Sequence, residues 1–161
     1  MNRVQVGFFS LSASLGPDSD PSYLEWHQLD HMPEQYQIPG LLHGQRWMSS
    51  PACRAARVTS GDWGRVDHVV LYLMGEPVEE TLDRFMRLGG ALRDAGRYPV
   101  VLPSVFAGTA AFGGGAAAPA ALVSDEVVPW RPNRGIYLVV EDSGADHPYD
   151  DRSYDDHPND A

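Results

Sequence analysis

Basic residues are scarce in this chain: 12 lysines and arginines stand against 22 aspartates and glutamates, for a formal net charge of −10. A phosphate backbone needs a concentrated cationic footprint, and none is present, which excludes nucleic acid as a partner. Cysteine is scarcer still. Cys53 stands alone, so no intrachain disulfide can form, and the expected compartment is a reducing cytoplasm rather than the one that suits bridge-stapled secreted scaffolds. No apolar run approaches the roughly 20 residues that a membrane-spanning helix needs. Near the start, Gln5 and Ser10 interrupt too short a stretch for a signal peptide. The expectation is a soluble protein with no membrane partner.

What is there suits one domain. A chain of 161 residues that is 43% hydrophobic can bury a core of its own. Most of the acidity sits at one end: residues 142–161 carry seven aspartates and one arginine, a net of −6, which leaves −4 for residues 1–141. With few apolar residues, 142–161 cannot offset the entropy of ordering, and we expect a mobile acidic tail on a domain spanning 1–141.

Residues 3–11, "RVQVGFFSL", mix β-branched and aromatic residues over strand length before the turn-rich "GPDSDP". A helix begins next, either at the Asp20-Pro21 start or at the capping-box pair Ser22 and Glu25, and Pro33 predicts a stop, kink or restart around Met32. "LLHGQRWM" (41–48) and "VDHVVLYLM" (66–74) read as two strands of a hairpin. "PVEETLDRFMRLGGALRDAG" (77–96) is the clearest helix, opening with Pro and acids, spacing Leu82, Phe85, Met86, Leu88 and Leu92 at helical intervals, and closing on Arg93 and Gly96. "GIYLVVE" (135–141) is the expected last strand. Residues 104–112, within an insertion of about 97–134, offer a second candidate for it. The order is β-α-β-β-α-β, which predicts an α+β, ferredoxin-like antiparallel sheet with helices on one face.

Both faces of the strands are apolar. In 66–74, Val69, Leu71 and Leu73 alternate with Val70, Tyr72 and Met74. Helices on one side leave the other bare, so a second copy is expected to cover it, two sheets closing into a barrel as an isologous homodimer with a pocket inside.

"WHQLDHMPE" (26–34) carries the candidate chemistry. At ~100° per residue from Leu24, His27 and His31 fall near 300° and 340°, at the border of an apolar arc that Leu29 and Met32 extend on the other side. A half-buried histidine suits proton transfer at neutral pH, and equally suits a side chain that only bonds a backbone carbonyl. A metal site would need a third ligand from Glu34, His43 or His68. No metal or cofactor is expected.

"YLEWHQLDHMPEQYQIPGLLHGQRW" (23–47) resembles the helix-and-strand segment of EthD-like proteins in the dimeric α+β barrel superfamily, through His31-Met32-Pro33 and Ile38-Pro39-Gly40. The resemblance covers about 25 residues closely and residues 1–96 with the last strand in outline. It implies the barrel fold, the dimer, and a pocket that His31 and His27 face. Relatives include cofactor-free cyclases, lactone isomerases, monooxygenases and haem-handling proteins, so fold does not fix function.

The expected function is cofactor-independent isomerisation, cyclisation or elimination on a small, apolar, aromatic or lactone-like molecule. His31 is the candidate general acid or base and His27 its tuning partner. Arg46, His68 or Tyr72 would stabilise an enolate-like oxygen, and Trp26, His43 and Trp47 would line the pocket. The alternatives are a non-catalytic dimeric binding protein for a similar ligand, an oxygenase, or a haem or metal binder. Competing readings remain for the site residues too: His43 and Trp47 as aromatic core with polar edges, and His68 as a strand-end histidine in solvent. Cys53 reads as a passive thiol, and the glycine run at 113–115 as a lid or loop, since no Lys-Ser/Thr follows it.

Overall fold

The computed structural model describes residues 4–59 and 61–141; the acidic tail expected at 142–161 lies outside the described residues. The chain is α+β, with one four-stranded antiparallel sheet and several helices. β1 (Val6–Ala13) leads into α1 (Asp20–Trp26), a π-helical turn (His27–His31) and α2 (Met32–Gln35). β2 (Leu41–Met48) and β3 (Val66–Met74) follow, joined by α3 (Pro51–Ala55) and a 3-10 turn (Gly61–Arg65). α4 (Val78–Asp94) then leads to β4 (Ser104–Ala111). Across the sheet the order is β2-β3-β1-β4.

Pairing decides which side chains share a face. Phe8 lies opposite Tyr72, and Gly44 also lies opposite Tyr72, so the even positions of β1, β2 and β3 share one face. That face takes the helices. Val70, Tyr72 and Met74 form a core with Ile38, Leu41 and α4's Phe85, and Phe8, Met32, Leu82 and Leu88 pack around it. The Phe85 ring lies 4.9 Å from Phe8 and 5.0 Å from Tyr72. Thr81 anchors α4 to the turn before β2, its hydroxyl reaching the carbonyls of Pro39 and Pro77.

One open choice is settled, and two expectations need correction. The fourth strand is 104–111, not 135–141; β1 selects it by pairing along Val6–Ser12, while 135–141 forms no regular element. Of the stop, kink or restart expected around Met32, the restart is what forms. Met32 N–H reaches back five residues to the His27 carbonyl, and the chain resumes as α2 beyond this wide turn. The turn rotates the following residues, so Leu29, expected on the apolar arc, is 74% exposed, while His27 and His31 turn fully inward. Met86 of α4 is likewise exposed rather than packed.

The opposite face of the sheet is not bare within the protomer. It carries Phe9, Leu11, Val69, Leu71, Leu73, His43, Gln45 and Trp47. Trp63 packs on Phe106 at 5.8 Å and Trp130 on His43 at 5.8 Å, covering its margins. Leu11 and Leu73 are buried, and Phe9, Val69 and Leu71 stay half-exposed. Among the described residues no helix is long and apolar enough to cross a membrane.

Candidate functional site

The α1 to α2 segment presents one stripe to the sheet: Asp20, Tyr23, His27, His31 and Gln35, three or four residues apart. The π turn keeps His31 and Gln35 in line with His27. A polar row on the sheet faces them, His68 and Tyr72 on β3 and Arg46 on β2. Tyr98, from the chain after α4, closes the end.

His27 is 4% exposed and His31 7%, and their rings meet edge to face at 5.4 Å between centroids. The Trp26 ring stacks on His31 at 4.7 Å, nearly parallel. Each imidazole has one nitrogen engaged by an uncharged side chain. The Gln35 amide nitrogen lies 2.7 Å from His31 Nε2, and the Tyr72 hydroxyl lies 3.5 Å from His27 Nε2. Both Nδ1 atoms are buried with no partner among the described residues, as are Gln35 Oε1 and Arg46 Nε. Leaving such a group unpaired costs about 1–3 kcal/mol, so four in one cluster call for a reason.

Burial sets the protonation. It pushes His27 down to about 3, with the Arg46 charge adding to it. Burial also pushes His31 below its ordinary value, against the opposing pull of Glu34 and Asp30. Both rings are therefore neutral at neutral pH. Burial raises the Tyr72 and Tyr23 hydroxyls, so these remain protonated.

Next to the pair runs a charged chain. Arg46 Nη2 lies 3.1 Å from His68 Nδ1, and His68 Nε2 lies 3.3 Å from Asp20 Oδ1. Since a guanidinium only donates, His68 accepts at Nδ1 and gives its Nε2 proton to Asp20. Ser14 donates to the other Asp20 oxygen at 2.6 Å. Burial lowers the His68 pKa, with the Asp20 bond opposing it, so a neutral imidazole bridges carboxylate and guanidinium. The Arg46 guanidinium carbon lies 5.2 Å from the Tyr23 ring centroid.

Of the residues named from sequence, His27, His31, Trp26, Arg46, His68 and Tyr72 come together here. His68 is 1% exposed, far from a solvent-facing strand end. His43 and Trp47 do not join them: they lie on the opposite face, where Trp47 Nε1 donates to Asn133 at 2.8 Å and Trp130 covers His43. Sequence reasoning passed over Asp20, Tyr23, Gln35 and Tyr98. For Gln35 a signal existed, its place four residues after His31; for Tyr98 none did, because only the fold brings it there. An open groove of about 410 Å³, lined by Glu34, Gln37, Ile38, Pro39, Arg84 and Leu88, shares no residue with the cluster. Among the described residues no three His, Cys, Asp or Glu side chains group as a metal site would require. Cys53 is exposed, and the Ser50 hydroxyl bonded to its sulfur lowers its pKa.

No family model, curated protein or solved structure matches this chain.

Proposed function

We propose that this protein is a cofactor-independent enzyme that moves a proton on a small, largely apolar, aromatic or lactone-like molecule, leading to isomerisation, cyclisation or elimination. The observation that carries this reading is the pair of buried imidazoles, His27 and His31, each with Nε2 engaged and Nδ1 free. His31 is the general acid or base, working at Nδ1. With the Gln35 amide donating to Nε2, the proton sits on Nδ1 and can be given; with the amide turned so that its oxygen accepts from Nε2, Nδ1 is a free base. His27 tunes His31 as an uncharged neighbour. Arg46, with its unused Nε–H, and the Tyr72 hydroxyl supply donors for an enolate-like oxygen in surroundings where such bonds are strong. Trp26, Tyr23 and Tyr98 supply apolar ring surface for the ligand.

The sheet order, read from its other edge as β4-β1-β3-β2, supports a ferredoxin-like arrangement. Together with the His31-Met32-Pro33 and Ile38-Pro39-Gly40 motifs, it supports an EthD-like member of the dimeric α+β barrel superfamily. In that reading the half-exposed apolar face of Phe9, Val69 and Leu71 pairs with its copy in a homodimer, and the chain works in the cytoplasm. A second reading, a non-catalytic binding protein, draws on the same aromatic enclosure and needs no proton transfer.

Deuterium incorporation from D2O into enolisable cyclic ketones and lactones tests the reading. Exchange catalysed by the wild type should fall about 10²- to 10⁴-fold in His31→Ala. If the wild type binds members of such a panel without promoting exchange, the binding-protein reading replaces the enzyme. If His27→Ala and His31→Ala fold but lose affinity for a metal or haem instead, the acid/base account fails.

A further inference from the structure

Residues 136–140, Ile-Tyr-Leu-Val-Val, have the composition of a strand without being one. They are apolar, uncharged and rich in β-branched side chains, yet form no regular element. Tyr137 is 86% exposed and Val140 59%, and Ile136, Leu138 and Val139 are exposed too. Among the described residues, the segment makes no backbone–backbone hydrogen bond. A bare stretch of this kind is an unpaired sheet edge in search of a neighbour.

The same chain offers an open edge of matching character. β4 is an outer strand of the sheet, its eight residues "SVFAGTAA" carry no charge and no proline, and most of them are exposed. Phe112 N–H bonds the Gln5 carbonyl, which fixes the alternation of the β1–β4 ladder. Phe106, Gly108 and Ala110 point their amides and carbonyls inward to β1; Ala107, Thr109 and Ala111 point theirs outward, where among the described residues no strand lies beyond.

One protomer cannot join the two. Asn133 is held at β2, on the far edge of the sheet, by bonds to Trp47 and Gln45. From β2 to a position beyond β4 is four inter-strand spacings, about 19 Å, whereas the three residues from Asn133 to Ile136 span at most about 11 Å. We infer that residues 136–140 of each protomer add as a strand to the β4 edge of a second copy of this chain, the two arms being exchanged across a two-fold axis. A two-fold that sets one protomer's β2 edge beside its partner's β4 edge brings arm and acceptor together. This inference rests on the paired-sheet dimer of the reading above and adds to it the element that closes the barrel. Each arm and its acceptor edge bury roughly 800 Å² together, and symmetry doubles this to about 1,600 Å², the size of a stable specific interface.

Sedimentation of the full chain tests it, with the wild type beside the triple variant Ile136→Asp, Leu138→Asp, Val140→Asp and beside Thr109→Pro, which removes an outward N–H from β4. A wild-type dimer is expected, with both variants monomeric and still folded by circular dichroism. Hydrogen exchange on the unmodified protein should show Thr109 and residues 137–139 protected in the dimer and unprotected on dilution. A dimer that survives both substitutions overturns the arm exchange while leaving the histidine site and the paired sheets standing. A monomeric wild type overturns the arm exchange and the dimer alike. If the triple variant unfolds, the segment packs within its own protomer, and the inference is wrong.

Discussion

Gln35 holds His31. Its amide lies 2.7 Å from His31 Nε2, one helical step along the same stripe, and both side chains are buried. An amide in that place determines which ring nitrogen is left to work. Gln35→Leu removes this control, and the expected result is a mixture of His31 tautomers in the nitrogen-15 spectrum, where the wild type shows one. Gln35→Glu should instead raise the His31 pKa, because a carboxylate beside the ring favours the imidazolium.

Acid should weaken the fold in a defined window. His27 takes up a proton near 6.5 when unfolded but only near 3 when folded. The unfolded state therefore binds more protons between these values, and stability is fully present above 6.5 and is lost as pH falls toward 3. Burial depresses His31 and His68 in the same sense. Urea titrations should show stability falling by up to about 1.4 kcal/mol per pH unit for each such histidine. In His27→Phe the slope should flatten.

Asp20 should matter to the fold more than its place in the first turn of a short helix implies. It accepts from Ser14 and His68 and is the carboxylate nearest the Arg46 chain. Asp20→Ala leaves the buried His68 Nε2–H and the half-buried Ser14 hydroxyl unmet, and a loss of about 3 kcal/mol is expected in denaturant unfolding. In Asp20→Asn, which keeps an acceptor oxygen, the loss should be smaller.

Two glycines separate stability from function. Gly40 has φ +87°, and a Cβ there would fall 2.0 Å from Thr81 Oγ1, so Gly40→Ala should loosen the anchor of α4 and cost stability. Gly44 lies under the Tyr72 ring, where a Cβ would fall 2.8 Å from a ring carbon. Gly44→Ala should therefore push the Tyr72 hydroxyl away from His27. Exchange activity should fall more than the melting temperature does.

Periodicity made much of this legible. Leu41–Met48 and Val66–Met74 stand where their apolar, strand-length runs put them, and α4 where its acids, apolar spacing and Arg93 put it. Sequence left the fourth strand open between two segments because 135–141 has the stronger strand composition; the Ala- and Gly-rich 104–111 is a strand because β1 offers it an edge. A regular helical wheel set His27 and His31 at a border and Leu29 inside. The π turn reversed that, and a proline two residues past His31 signals a disturbance without giving its direction. The Asp20–His68–Arg46 chain spans 48 residues and joins three elements. No local pattern encodes such a contact.

The fold encloses two neutral imidazoles with Nδ1 unused. A long-range nitrogen-15 and proton titration of the histidine rings between pH 8 and 5 measures this directly. The prediction is that His27 stays neutral across the whole range and that His31 takes up its proton only below 6.5, each ring showing a single tautomer. Ordinary titration of both rings near 6.5, with rapid exchange of tautomers, would mean solvent-washed side chains and would contradict the account.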